Sequence, residues 1–323
     1  MKPAKNLAIA MLAILILMAC GSDTNEYYIG GAAPATITPP VQKTYNASTN
    51  QNDASVNPAV TRYEFPHLKG GKSVVVVHNA KLNDMTGETG VNYSVEWDTE
   101  KHALRWCCYQ MNASLLQKNT SRYDGDRSQR LTPESAYPND PDIDEKYRFT
   151  ADPYWNSGFD HGHICPSNDR LSSEEANYQT FFMTNMSPQV NSFNSGIWVT
   201  MELKIHDKWA RQFQTLYVCK GGTIDNSDHI IKYIGSGQNK IPVPKYYFTA
   251  LLGATYDGQY TAIGLYIQHD GTINKNASLS NYAMNIRSLE KLTGIDFFCN
   301  LPGTVEDDVE NRDINTLKGV WGL

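Results

Sequence analysis

Phe159-Asp160-His161-Gly162-His163-Ile164-Cys165-Pro166-Ser167-Asn168-Asp169-Arg170 gathers two imidazoles, two carboxylates and a guanidinium into one short run. Imidazole is the side chain whose ordinary pKa lets it take a proton from water near neutral pH. Further on come Thr184-Asn185-Met186-Ser187-Pro188-Gln189 and Phe193-Asn194-Ser195-Gly196-Ile197-Trp198, with Glu202 eight residues after Asn194. An Asn carbonyl oxygen is a hard ligand that suits Mg²⁺, a cation that keeps most of its waters. If the segment is helical, an amide in its first turn and a carboxylate two turns later border one site. A zinc reading competes, because two His flank a Gly between acidic groups. We expect the two rings to diverge along an extended segment, and no third ligand stands at a known zinc spacing.

Several elements must position these groups. Val74–Val77, Val91–Trp97 and Ala103–Met111 read as strands, the last two paired across a turn at Asp98–Lys101. Residues 117–158 are polar and carry Pro133, Pro138, Pro141 and Pro153, so they predict a long surface excursion. Ser172–Phe182 reads as a helix. Residues 194–213 carry Ile197, Met201, Ile205 and Trp209 at four-residue steps, one stripe of an amphipathic helix. Leu216–Cys219, Tyr246–Leu252 and Tyr260–Ile267 read as strands, Leu279–Leu292 as a helix, and Val305–Asp313 as an acidic, exposed tail. The expectation is a single α+β domain.

The 323 residues hold 28 Lys+Arg against 34 Asp+Glu, a formal net charge of −6. Any polyanion must therefore meet a local patch or a metal. With 41% hydrophobic and 19% charged residues, the composition excludes collagen, coiled coil, a polytopic membrane protein and a wholly disordered chain. Lys2 and Lys5 precede an apolar run, Leu7–Met18, too short for a confident membrane span. Cys20 follows Leu17-Met18-Ala19, as in a bacterial lipobox; an ordinary signal peptide with an incidental Cys is the alternative. We read residues 1–19 as a lipoprotein signal peptide and Cys20 as the lipidated residue. Residues 20–60 read as a disordered tether and 61–323 as the folded domain. The chain is then exported and membrane-anchored, periplasmic or on the cell surface. Export makes the remaining cysteines disulfide candidates, with Cys165 expected to join Cys107 or Cys108, and Cys219 to join Cys299.

Together D-x-G-H-x-x-P-x-x-D-R, T-N-M-S-P-Q and F-N-S-G-I-W with Glu202 resemble the DNA/RNA non-specific endonuclease family, the ββα-metal or His-Me finger nucleases. Further matching points are Tyr93-Ser94, Trp97-Asp98, Tyr246-Tyr247-Phe248 and Leu292–Phe298, so the resemblance covers roughly residues 60–323. It implies a central antiparallel sheet with flanking helices and a ββα-metal motif. It also implies a Mg²⁺- or Mn²⁺-dependent endonuclease acting on DNA and RNA with little sequence preference. His163 would be the general base, Asn194 the direct metal ligand, and Glu202 the group orienting metal-bound water. Asp160 would fix the loop carrying the base, with Asn185 and Gln189 supporting the site. The chemistry is coherent, since a phosphodiester needs a base for water and a Lewis acid for the leaving oxygen.

Two positions depart from the family pattern. His161 stands where the family has Arg, and His206 where it tends to carry Arg one turn after the Glu. A His cannot grip a phosphate bidentately and is mostly neutral above pH ~6.5. Arg122, Arg127, Arg130 and Arg170 are the cations available to compensate. Two alternatives stand beside the nuclease: a nucleic-acid-binding surface lipoprotein with impaired catalysis, and a phosphodiesterase of narrower substrate range.

Overall fold

The structure, a computed structural model, describes residues 51–273 and 276–323. The expected signal peptide, Cys20 and residues 21–50 of the expected tether lie outside the described residues. The ordered chain includes residues 51–60, inside the segment expected to be tether. Asn52 is the reason: it is buried, its amide nitrogen donates to the carbonyls of Val60 and Pro66, and its backbone N–H donates to Asn300 Oδ1.

Eleven strands form among the described residues: β1 (Ser73–Lys81), β2 (Thr89–Asp98), β3 (Ala103–Met111), β4 (Asp160–His163), β5 (Met186–Gln189), β6 (Thr215–Gly222), β7 (Ile230–Ile234), β8 (Ile241–Pro244), β9 (Tyr246–Ala254), β10 (Tyr260–Gln268) and β11 (Ala283–Met284). Seven make one sheet in the order β1-β2-β3-β6-β9-β10-β11, antiparallel throughout; β4 pairs with β5 and β7 with β8. The fold is the expected α+β arrangement around a central antiparallel sheet.

The central strands are apolar at consecutive positions because both faces of the sheet are covered. Along β3, Cys107 and Tyr109 enter the core under the site, while Trp106 and Cys108 enter a second core on the other face. The expected disulfides are not formed, and alternation puts Cys107 and Cys108 on opposite faces. All five described cysteines are free and buried. Cys107 shares a core with Cys165, Cys108 faces Cys219 across the β3–β6 register, and Cys299 sits beside Asn52.

Residues 191–212 form a helical run with two π turns, Asn194–Trp198 and Ile205–Trp209, and a kink inside the first, where Gly196 leaves helical backbone at φ −105° and ψ −114°. The π turns explain the four-residue stripe. Phe193, Ile197, Met201, Ile205, Trp209 and Phe213 are all buried. In an unbroken α-helix each four-residue step overruns a turn by about 0.4 residue, so five steps drift by about two residues. Each π turn absorbs about one, and the stripe stays on the sheet.

Two expected elements change near the C-terminus. Leu279–Leu292 is not one helix: Leu279–Tyr282 is a 3₁₀ turn, β11 pairs Ala283 and Met284 with β10, and the helix runs Ile286–Thr293. Asn285 caps that helix by accepting from the Ser288 N–H, and Gly294 ends it with φ 70°. Nor is Val305–Asp313 an exposed tail. Gly303–Glu310 is a helix that buries Val305, Glu306, Val309 and Glu310, leaving Asp307 and Asp308 exposed, and a further helix, Ile314–Trp321, follows.

Candidate active site

β4, β5 and the long helix form a strand–strand–helix unit, in which Asp160 pairs with Gln189, His161 with Pro188, Gly162 with Ser187 and His163 with Met186. The unit is riveted from several sides. Asn185 is fully buried; its Oδ1 accepts from the Cys165 N–H at 2.8 Å, and its Nδ2 donates to the Cys165 and Thr180 carbonyls. The Trp198 indole donates to the His163 carbonyl, and Ser187 and Pro188 meet the Tyr247 hydroxyl at 2.7 and 2.8 Å. Gly162 has no room for a side chain, because a Cβ there would sit 2.4 Å from Gln189. Asn185 thus bonds the backbone on both sides of the motif, whereas the buried Gln189 side chain packs against Gly162 with its polar atoms unpartnered.

His161 and His163 do not diverge. Residues two apart on a strand share a face, and both rings approach Tyr137. His161 lies between Tyr137 (3.8 Å between centroids, 3° between planes) and Tyr154 (4.2 Å), with Nε2 at 3.1 Å from both Asp152 oxygens. Burial works to raise the Asp152 pKa, but the bond to His161 and nearby donors hold it below the usual carboxylate range. His163 stands edge-on to Phe181, with Nε2 enclosed and without a hydrogen-bond partner. Burial, then the positive charges of Arg122 and Lys220, push its pKa down to about 3, so it is neutral at ordinary pH.

Asp160 lies where the helix begins. One of its oxygens, Oδ2, accepts from Asn191 Nδ2 at 2.9 Å and from Asn194 Nδ2 at 3.0 Å. An ionised carboxylate only accepts, so the Asn194 amide must present its NH₂ to Asp160 and turn Oδ1 away. Asn194, Asp160, His161, His163 and Arg122 line one cleft of about 400 Å³. A hard carbonyl oxygen opening on such a cleft beside a carboxylate fits a Mg²⁺ that keeps most of its waters. Glu202 is held by Lys220, whose fully buried Nζ donates to Oε1 at 2.9 Å; burial still leaves the Glu202 carboxyl raised. Among the described residues, two groupings place three His or carboxylate ligand atoms within 4.8 Å of one another, and neither lines the cleft. They are His78 with Asp140 and Asp142, and Glu290 with Asp296 and Glu310. His78 is bonded to Asp140, and Arg287 pairs with Glu290 and Glu310.

Two expected site residues serve elsewhere. Arg170 is 0% exposed and donates to Asn92, Gln110 and the Asp169 carbonyl, tying the end of the His motif to β2 and β3. It does not line the cleft. His206 Nδ1 lies 2.9 Å from Asp169, whose other oxygen accepts from the Tyr109 hydroxyl. Sequence reasoning missed Tyr137, Asp152, Tyr154, Trp155 and Lys220. A lysine in the apolar run of β6 was the available signal for the last; the others sit in the long loop, where only composition spoke.

Residues 79–304 match the family described as DNA/RNA non-specific endonuclease. A nuclease of Syncephalastrum racemosum is 28% identical over 232 residues, covering 68% of this chain and 69% of that protein. Human mitochondrial endonuclease G is 27% identical over 215 residues, covering 65% of this chain and 68% of that protein. The fold is similar to that in a crystal structure of the EndoG/EndoGI complex, with a TM-score of 0.57, 22% identity, and coverage of 78% of this chain and 94% of that one.

Proposed function

Because the chain belongs to the DNA/RNA non-specific endonuclease family and is a hydrolase acting on nucleic acids, we propose that this cleft cuts the phosphodiester bonds of DNA and RNA with little sequence preference. The observation that carries the reading is the Asp160–Asn194 bond opposite a neutral His163 in the same cleft. His163 takes the proton of the attacking water at Nδ1, since Nε2 is enclosed away from solvent. Asn194 Oδ1, aimed by Asp160, would hold Mg²⁺, and Glu202, itself held by Lys220, would orient its waters. When bound, the cation supplies Lewis acidity toward the phosphate and the leaving oxygen. Arg122 brings a fixed positive charge to the cleft that His161, occupied by Asp152, does not provide. Export and a lipid anchor on Cys20 complete the proposal.

The test is degradation of plasmid DNA and of RNA by the domain from residue 51 onward, with Mg²⁺ and with EDTA, beside a folded His163→Ala variant. Metal-dependent cleavage that falls by roughly 10²–10⁴-fold in the variant is expected. Full activity in the variant removes His163 from the role, and intact nucleic acid with folded, metal-loaded wild type overturns the reading.

A further inference from the structure

We propose that Trp155, with Arg130 laid across its ring, is a stacking subsite for an unpaired base of the substrate strand and biases the enzyme toward single-stranded nucleic acid. The proposal rests on the nuclease reading above and adds the form of substrate that the cleft receives.

Trp155 is 61% exposed, whereas Trp97, Trp106, Trp198, Trp209 and Trp321 are each exposed by 1% or less. The loop around it is built to hold it out. Asp152 Oδ1 accepts the Tyr154 N–H, and the Trp155 and Ser157 N–H groups close back on the Asp152 and Tyr154 carbonyls. Asn156 takes a left-handed φ of 55° to complete the turn. Tyr154 is thereby buried against His161 while its neighbour faces solvent. Nothing in the packing of the core requires a tryptophan there.

The Arg130 guanidinium carbon lies 4.0 Å from the Trp155 ring centroid, and its Nη1 donates to the Gln129 carbonyl at 2.8 Å. Arg127, Arg130, Tyr137, His161 and Asp152 join Trp155 around a pocket of about 180 Å³, with Arg130 Nε 4.0 Å from an Asp152 oxygen. The same Trp155 also borders the larger cleft that holds His163 and Asn194. A strand bound at His163 and Asn194 and running past Trp155 would meet an aromatic ring and two arginines. Base stacking on aromatic rings tolerates any sequence, and arginine adds a cation for the neighbouring phosphate. A duplex keeps its bases stacked on one another and must unstack one to use the site. A single strand offers one freely.

Because Trp155 is the only tryptophan that solvent reaches, its emission reports the subsite. His163→Ala protein is titrated with an unlabelled dT₁₂ strand in Mg²⁺, and then with the dT₁₂·dA₁₂ duplex. Saturable quenching by the strand, with roughly tenfold weaker apparent affinity for the duplex, is expected; His163→Ala/Trp155→Phe protein loses the quenching. On the active enzyme, Trp155→Ala raises KM for single-stranded DNA roughly tenfold. The change is smaller on duplex and falls in KM more than in kcat, whereas Tyr256→Ala at a remote exposed aromatic changes neither. If labelled dT₁₂ binds by anisotropy while tryptophan emission stays constant, or if Trp155→Ala cleaves single strands with wild-type KM, the subsite is refuted. Failure of the nuclease reading looks different: wild type cleaves nothing, and the subsite falls with it.

Discussion

Replacing Asp160 by Asn tests how the metal ligand is aimed. In the wild type, one carboxylate oxygen accepts the amide NH₂ groups of Asn191 and Asn194, at 2.9 and 3.0 Å. The Asp160→Asn side chain would instead carry an NH₂ of its own. The Asn194 amide could then flip and accept from it, which occupies the oxygen reserved for the cation. A hydrogen bond to a charged group contributes about 1.5–3 kcal/mol and a neutral one about 0.5–1.5. The orienting bond to Asn194 therefore weakens by about 1–1.5 kcal/mol, roughly a tenfold loss, at the low end of the 10–100-fold cost of removing a metal ligand's hydrogen-bond partner. Asp160 is only half-buried, so the fold loses little. The assay is initial rate against Mg²⁺ concentration at fixed substrate, with calorimetric Mg²⁺ titration as a direct check. A half-saturating Mg²⁺ concentration about tenfold higher, approaching the wild-type plateau, is expected. An unchanged half-saturation with a depressed plateau would refute the assignment of Asp160 as the group that aims Asn194.

Other consequences follow from the same geometry. The folded chain holds His163 near pKa 3 and the unfolded chain near 6.5. Its contribution to stability is thus complete above pH ~6.5 and is lost as pH falls toward 3. His163→Gln removes this term, so its urea midpoint should drop less than the wild type's between pH 7 and pH 4.5; parallel drops would contradict the burial argument. Lys220→Met leaves Glu202 without its buried partner and should cost about 3–5 kcal/mol in urea unfolding, much of it recovered by adding Glu202→Gln. A cost below ~1 kcal/mol would mean that Glu202 is already neutral. Arg170→Lys should lower stability by about 2–4 kcal/mol through lost hydrogen bonds, while leaving the salt dependence of substrate KM unchanged. A flattened salt dependence would return Arg170 to the substrate.

Much of this was legible in the sequence because the chemistry is carried by local strings. Asp160 and His163 stand together in one four-residue strand, Asn194 and Glu202 lie on the helical segment with the apolar stripe, and the central strands are β-branched or aromatic runs. Residues whose role depends on long-range closure were not legible. Arg170 looks like a substrate cation beside the His motif, and only the approach of β2 and β3 makes it a structural one. Tyr137, Asp152, Tyr154 and Trp155 belong to a loop without periodicity, so nothing local shows that it folds back over β4. Cys107 and Cys108 are neighbours in the chain, yet strand alternation sends them to opposite faces of the sheet. The acidic stretch near the C-terminus hides Val305 and Val309 at helical spacing, and its charges masked a buried face.

The first π turn of the long helix gives the site a reserve of slack. Eight residues of unbroken α-helix turn through about 800°, which would leave Asn194 and Glu202 about 80° apart around the axis. A π turn that takes up one residue would bring positions eight apart on an ideal helix to within about 20°, and the turn at Asn194–Trp198 adds a kink at Gly196. A chain one residue shorter between them would keep both side chains where they are, by tightening that turn to an ordinary one at Gly196, where φ is −105° and ψ −114°. A second deletion would have nothing left to absorb it and would swing Glu202 by about 100° relative to Asn194. Spacing in this segment is therefore elastic by one residue and no more.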